Sequence, residues 1–513
     1  MSIPEIRKDE KGIDTLYVDG RPFFAYCGEL HNSDASSPDY MENKVWPELR
    51  ELHMNSVIVP VCWELIEEKE GVYSFERVDS LILQARREGM KLIFLWFGLW
   101  KNSESMYVPG WMKRDSARYF RAETVSGEKM NTISPFCSAA VEKDARAFSA
   151  LMAHIRKIDE KESTVIMVQV ENEIGIMGSA RDYCPAAEEA FLSEIPEELS
   201  KSLGENGTWK EVFGNDAEES FMAWYFACAV EKIASSGHSE YPLPFYANSW
   251  LKQYPWYPGS YPMGGPVPGV QPIWRTAAPT LFTFAPDIYV SYCADVMDEY
   301  QTPDNPLFIP EIRKDAVAVS YCLYAFGARN AIGFSPFGIE ELALDPDEIE
   351  QPPAEVMAAL NIDPSAFDIT GSKDLLAATY DIMKNLEPVY LKYRGTEHLK
   401  SFVRHGETDY GTFLIFENYD FRVSYKPRQS GKPLGAGIFI ELDPDRFLLL
   451  GTMCCISITA KPGENLKADV IREEEGTLED GIWKPGRILN GDEKMSLQFP
   501  EMPTLYRIEM YKY

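Results

Sequence analysis

Two acidic residues stand where a chain rarely tolerates charge. One apolar run ends Gln169-Val170-Glu171-Asn172-Glu173-Ile174-Gly175, and another ends Phe308-Ile309-Pro310-Glu311-Ile312. A carboxylate at the end of a buried strand is costly unless it is paired or working. Each could be half of a structural ion pair, Glu311 with Arg313 and Glu173 with Arg181. Taken together they admit a chemical reading. Cleaving an acetal at a sugar's anomeric carbon needs a proton for the leaving oxygen and negative charge facing the carbon. Two carboxyls about 5–5.5 Å apart supply both, by double displacement with retention. An ionised Glu311 would raise the pKa of Glu173 by repulsion, so Glu173 holds a proton to give. Once Glu311 is glycosylated, Glu173 can act as a base on water. Glu171 competes for the acid role. Strand alternation puts Gln169, Glu171 and Glu173 on one face and Asn172 on the other. For Asn172 to reach the same space, the strand end must bulge or unwind.

The elements that must position this pair are countable. Eight short apolar runs read as strands buried on both faces. They are Phe23–Leu30, Ser56–Trp63, Lys91–Gly98, Thr164–Asn172, Pro244–Trp250, Pro286–Tyr292, Pro306–Ile312 and Ala331–Gly338. Amphipathic stretches at Asp39–His53, Ser74–Glu88 and Ser138–Lys157 lie between them. This alternation predicts a (β/α)₈ barrel, an α/β fold, with Glu173 and Glu311 at the C-terminal ends of strands four and seven, where such barrels do chemistry. An open doubly wound sheet would want a Gly-rich first turn, and no GxGxxG or P-loop follows the first strand. Residues 178–241 and 254–275 are long for barrel connections and read as lids or binding walls. A helix at Asp374–Lys392 closes the barrel. From about residue 397, short alternating segments separated by turn residues predict a second, β-sandwich-like domain. The expected organisation is a catalytic barrel over residues 1–396 and a β-rich domain over 397–513.

Composition narrows the partners. The formal net charge of −30 would repel a phosphate backbone, so nucleic acid is not an expected partner. No apolar run reaches the roughly 18 residues of a membrane span, and the charged N-terminus shows no signal peptide. Nine cysteines without a CxxC read as free thiols of a reducing cytoplasm. Six scattered histidines lack metal-ligand spacing, so neither a metal nor a cofactor is expected. A neutral oligosaccharide or glycoside is the expected substrate, and nothing in the chain bears against a homo-oligomer. Trp63, Trp100 and Trp250, at strand ends or the loops beyond them, are candidate stacking platforms for a sugar ring. Asn102 is a candidate partner for hydroxyls, or a loop cap. Glu29, Glu64 and Glu340 read as members of structural ion pairs, and His31 as a strand-end hydrogen-bonding residue.

Several longer motifs carry a resemblance. Gly28-Glu29-Leu30-His31, Trp63-Glu64-Leu65, the strand-four segment through Gly175, and Pro310-Glu311-Ile312 resemble glycoside hydrolase family 35, the β-galactosidases of clan A. Leu95–Asn102, Ala285–Tyr289, Gly333–Glu340 and Gly486–Asp492 are similar to the bacterial branch that carries an uncharacterised β-rich domain behind the barrel. The resemblance implies a retaining exo-β-galactosidase with Glu173 as acid/base and Glu311 as nucleophile. It also implies that Asn172 donates to the sugar 2-hydroxyl and that a strand-six tyrosine holds the nucleophile. Tyr289 fits that place by motif, whereas Tyr292 lies nearer the expected strand end. The chain departs from better-known members at Pro60, where they carry Tyr, and at Glu68, where they carry Pro. It also lacks their strand-three Cys-Ala-Glu-Trp. Those positions help read galactose, so a β-arabinopyranosidase or β-fucosidase of the same mechanism is an alternative. A sugar-binding protein without catalysis is another.

Overall fold

The computed structural model describes residues 2–349, 351–463, 465–493 and 497–513. Ala25–Tyr26, Ser56–Cys62, Lys91–Lys101, Val165–Asn172, Phe245–Trp250, Leu281–Ile288, Ile309–Ile312 and Gly333–Pro336 follow one another around an eight-stranded sheet. Neighbours are parallel throughout. Glu29 completes the ring by bridging to both Ile58 and Phe337. The sheet is therefore a (β/α)₈ barrel. Its interior is filled rather than hollow: Cys27, Ile58, Leu95, Met167, Tyr246, Phe308 and Ile332 form one buried cluster. Leu16 and Val18 of the N-terminal antiparallel hairpins join the same cluster.

Strand six departs from expectation. It begins at Leu281, five residues before Pro286, because Leu281, Thr283 and Phe284 are buried beside strand five. Proline reads as a strand start, yet Pro286 lies inside, in register with Ser249. Tyr289 consequently falls just past the strand end. The stretch at Asp39–His53 is also not one helix. Pro47 has no N–H to donate, and the chain runs as short turns with a π-helical segment at Met41–Val45.

The outer helices bury the stripes their spacing predicts. Glu76–Glu88 turns Val78, Leu81, Ile82 and Ala85 inward and ends at Gly89, whose φ of 70° favours a residue without a Cβ. Ser138–Asp159 and Ala217–Glu240 pack so closely that a Cβ on Gly237 would collide with Phe148. No described helix is long and apolar enough to cross a membrane. All nine cysteines are free thiols.

After the helix Ser372–Tyr393, the remaining chain forms two antiparallel sheets of six and four strands. Their facing sides share a second core in which Phe439 meets Phe421 at 5.9 Å and Phe421 meets Phe447 at 4.9 Å. Strand alternation sends the neighbours Ile438 and Ile440 the other way, into the barrel's own apolar cluster. There the helix Ala318–Arg329 meets the sheet: Ser320 Oγ lies 3.0 Å from Leu434 O, and a Cβ on Gly327 would collide with Ser401. The sandwich-like domain is thus seated on the helix after strand seven. Phe439→Ala removes a fully buried ring from between the sheets and should cost about 3–5 kcal/mol, read as a lower denaturation midpoint. An unchanged midpoint would contradict this packing.

Candidate active site

Strand four does not stay extended to its end. Glu171 and Glu173 have φ of 64° and 45°, left-handed values that L-residues adopt at a cost. This is the unwinding that the sequence requires if consecutive side chains are to leave the strand's alternation. Glu171 stays in the wall. Its carboxyl accepts from Trp100 N at 2.6 Å and lies beside Asp144, whose two oxygens take Trp96 Nε1 and Leu99 N, each at 2.8 Å. The carboxyl pair fits only because residue 98 is glycine, since a Cβ there would strike both. Burial, then the Asp144 charge, pushes Glu171 well above the usual carboxylate range, and burial lifts Asp144 to about 6. Glu171 does not line the cavity, so it does not compete with Glu173 there.

Glu173 does line it. Its backbone N–H donates to Asn248 Oδ1 at 2.9 Å, and its carboxylate accepts from Asn102 Nδ2. Asn102 can reach because it and Ser103 turn through left-handed backbone, with φ of 51° and 61°. Burial first, then the charge of Glu311, raises Glu173 to about 7, against the opposing pull of Lys101. Glu311, at the end of strand seven, faces the same cavity of about 220 Å³. Tyr289 Oη donates to Glu311 Oε1 at 2.5 Å, and Oε2 has no partner. Burial raises Glu311 as well, while the Lys101 charge and the Tyr289 hydrogen bond pull it down. Tyr292 is 40% exposed and lines a different cavity.

The ion pairs that could have explained the two acids fall elsewhere. Arg313 pairs with Asp315 at 2.7 Å and Asp363 at 2.9 Å, and Arg181 pairs with Glu188 at 2.6 Å. Glu64 pairs with Lys113 at 2.8 Å, and Glu340 with His31. Glu29 does not match its expected ion pair. It is buried with both oxygens unpaired, and burial pushes it well above the usual range. His31, Asp34 and Glu340 offer three ligand atoms within 4.8 Å of one another. Burial and the adjacent Glu340 raise Asp34 to about 7.

Of the candidate tryptophans, only Trp250 lines the cavity. Trp63 is fully buried and donates to Glu67 Oε2 at 2.7 Å. Trp100 is fully buried, donates to Ile133 O at 3.0 Å and packs edge-on to Phe226. Both are wall residues, because their strand ends turn them away from the barrel mouth. Asn172 is also fully buried and outside the lining, with neither side-chain amide atom paired.

Three features lie beyond the sequence reading. Asp287, in register with Glu311 across strands six and seven, lines the cavity and accepts from Asn248 Nδ2 at 2.6 Å. Burial, then the charges of Glu311 and Glu173, raise it well above its ordinary value. Its place in Ala285–Tyr289, at a strand's C-terminal end, was the available signal. Lys101 is the one cationic side chain lining the cavity among the described residues. Leu360, Ile362 and Phe367 form an apolar wall from the segment beyond strand eight. That segment is clamped by Arg313 on Asp363, by Asp363 N on Tyr289 O at 2.9 Å, and by Gln253 Nε2 on Leu360 O at 2.5 Å.

Comparison with known proteins follows this geometry. Residues 15–244 match glycosyl hydrolases family 35, and residues 376–500 match a domain of unknown function (DUF5597). Over residues 15–244 the chain is thus similar to glycosyl hydrolases family 35, and the second match lies behind the barrel. No curated protein matches its sequence. Among solved structures, the β-galactosidase from Bacillus circulans sp. alkalophilus is 13% identical, with a TM-score of 0.49 over 72% of this chain and 57% of that one. The β-galactosidase from Rahnella sp. R3 is 14% identical, with a TM-score of 0.46 over 72% and 57%. The catalytic domain of the β-amylase from Paenibacillus polymyxa is 10% identical, with a TM-score of 0.45 over 66% and 97%. The chain spans a little over half the length of these β-galactosidases.

The charges make a direct prediction. Glu311→Gln removes the repulsion on Glu173, so Glu173 should titrate below its native value near 7. Tyr289→Phe removes a donor to the ionised Glu311, so Glu311 should titrate higher. Carbon NMR of labelled glutamates reads both, and a rise for Glu173 or a fall for Glu311 would contradict the arrangement.

Proposed function

We propose that the protein is a retaining exo-β-glycosidase that removes terminal β-D-galactosyl units from oligosaccharides or glycosides. The observation that carries this is one cavity lined by two buried glutamates held by different donors, Glu173 by Asn102 and Glu311 by Tyr289. Burial and the Glu311 charge raise Glu173 to about 7, and burial also raises Glu311, against the pull of Lys101 and Tyr289.

In the first step Glu173 gives its proton to the glycosidic oxygen. Glu311 attacks the anomeric carbon from the opposite face, and the aglycone leaves as a neutral alcohol. The Glu311 negative charge is then gone, so the pKa of Glu173 falls. In the second step Glu173 takes a proton from water, whose oxygen attacks the anomeric carbon. The sugar leaves with its original configuration, and Glu311 returns as a carboxylate. Tyr289 fixes one oxygen of Glu311 and leaves the unpaired Oε2 to attack. Asn102 holds Glu173 in place. Trp250 offers a face to the sugar. The resemblance assigns the 2-hydroxyl to Asn172, whose amide is unpaired but stands behind the cavity lining. The galactosyl assignment follows the family. A panel of aryl β-glycosides ranks it against the arabinopyranosyl and fucosyl alternatives.

An aryl β-galactoside should be turned over with the β-anomer appearing first by proton NMR. Inversion, or native-like turnover by Glu311→Ala, would overturn the mechanism. Glu173→Ala should lose about 10²–10⁴-fold on alkyl or sugar leaving groups and much less on activated aryl ones. Equal losses on both would remove Glu173 from the acid role. Because activity needs Glu173 protonated, kcat/KM should fall as pH rises through about 7.

A further inference from the structure

A second cavity of about 400 Å³ opens beside the catalytic one, and Leu251 lines both. The chain alternates along this ridge. Trp250 and Gln253 face the catalytic cavity, whereas Lys252 faces the second. The catalytic cavity, about 220 Å³, is smaller than the roughly 300–1,000 Å³ that takes a drug-sized ligand. It suits one sugar ring, so any further ring of a substrate must lie on another surface.

The second cavity has the composition for that. Trp256 and Tyr292 line it while 60% and 40% exposed. Exposing an indole to water is unfavourable, and Trp256 is also held at φ 57°, a left-handed value costly for a bulky residue. Tyr254 supports it edge-on at 5.5 Å. Two costs at one residue, beside a catalytic cavity, point to a ligand that stacks on the ring. Polar groups sit at the same rim. Lys252 is already paired with Glu219, whereas the exposed Glu299 makes no ion pair among the described residues and can accept from hydroxyls.

We propose that this cavity is an aglycone subsite that binds the sugars following the scissile bond in a neutral oligosaccharide, with Trp256 and Tyr292 as stacking faces. The proposal rests on the catalytic reading above. Glu299 and the net charge of −30 set the site against anionic glycans.

The test compares substrates that do and do not reach the subsite. Trp256→Ala and Tyr292→Ala should leave kcat/KM on an aryl β-galactoside within about twofold of native. On neutral tetrasaccharides of galacto-, gluco- and xylo-configuration, each capped by a β-galactosyl unit, at least one should lose tenfold or more, with Trp256→Phe restoring most of it. Equal losses on aryl and capped substrates, or no selective loss on any tetrasaccharide, would overturn the subsite. Calorimetric titration of Glu311→Gln with the corresponding uncapped trisaccharides separates this from failure of the catalytic reading. Binding abolished by Trp256→Ala supports the subsite even if no glycoside is cleaved, and absence of binding by all three trisaccharides contradicts it.

Discussion

Burying carboxylates is the constraint around which this barrel mouth is built. Glu29, Glu173, Asp287 and Glu311 are all nearly inaccessible, and Lys101 is the one cation among the described residues lining the cavity that the last three of them line. Full ionisation would leave about three uncompensated negative charges in a dry site, at a cost of several kcal/mol each. The groups respond by separating. Glu29 and Asp287 are driven well above their ordinary range and Glu173 to about 7, while burial raises Glu311 against the pull of the Lys101 charge and the Tyr289 hydroxyl. Two carboxyls with different hydrogen-bond donors thus share one cavity with a single lining cation among the described residues.

The backbone around the site serves this electrostatic arrangement. Left-handed residues at Glu171 and Glu173 split one strand end into a carboxyl held in the wall and a carboxyl aimed into the cavity. Gly98 makes room for the first, and Asn102, itself left-handed, holds the second. Asn248 ties strand four to strand six by accepting from Glu173 N and donating to Asp287. Arg313, two residues past Glu311, pairs with Asp315 and Asp363 instead. It anchors the apolar segment that roofs the cavity through Asp363 and leaves Glu311 free.

Much of this was legible in the sequence where burial dictates the pattern. Strands packed on both faces show as apolar runs, so the barrel could be counted and Glu173 and Glu311 set at its mouth. The nine cysteines, without a CxxC among them, read correctly as free thiols. Pro286 misled because proline inside a barrel strand is uncommon, which displaced strand six while leaving Tyr289 in reach of Glu311. Trp63 and Trp100 misled because a tryptophan at a strand end serves wall or cavity equally well. Only the local turn of the chain decides between them. Asp287, Lys101 and the Leu360–Phe367 wall were missed for a different reason. Their roles come from neighbours contributed by other strands and loops, and no local period or motif encodes that proximity.

The claim at the centre is that Glu311 attacks carbon. A 2-deoxy-2-fluoro-β-galactoside with an activated leaving group slows release of a glycosyl-enzyme far more than its formation. Incubated with the protein, it should add the mass of one fluorosugar, and peptide mapping should place it on Glu311. A full adduct on any other residue, or turnover of natural β-galactosides by a protein that never accumulates one, would contradict the account.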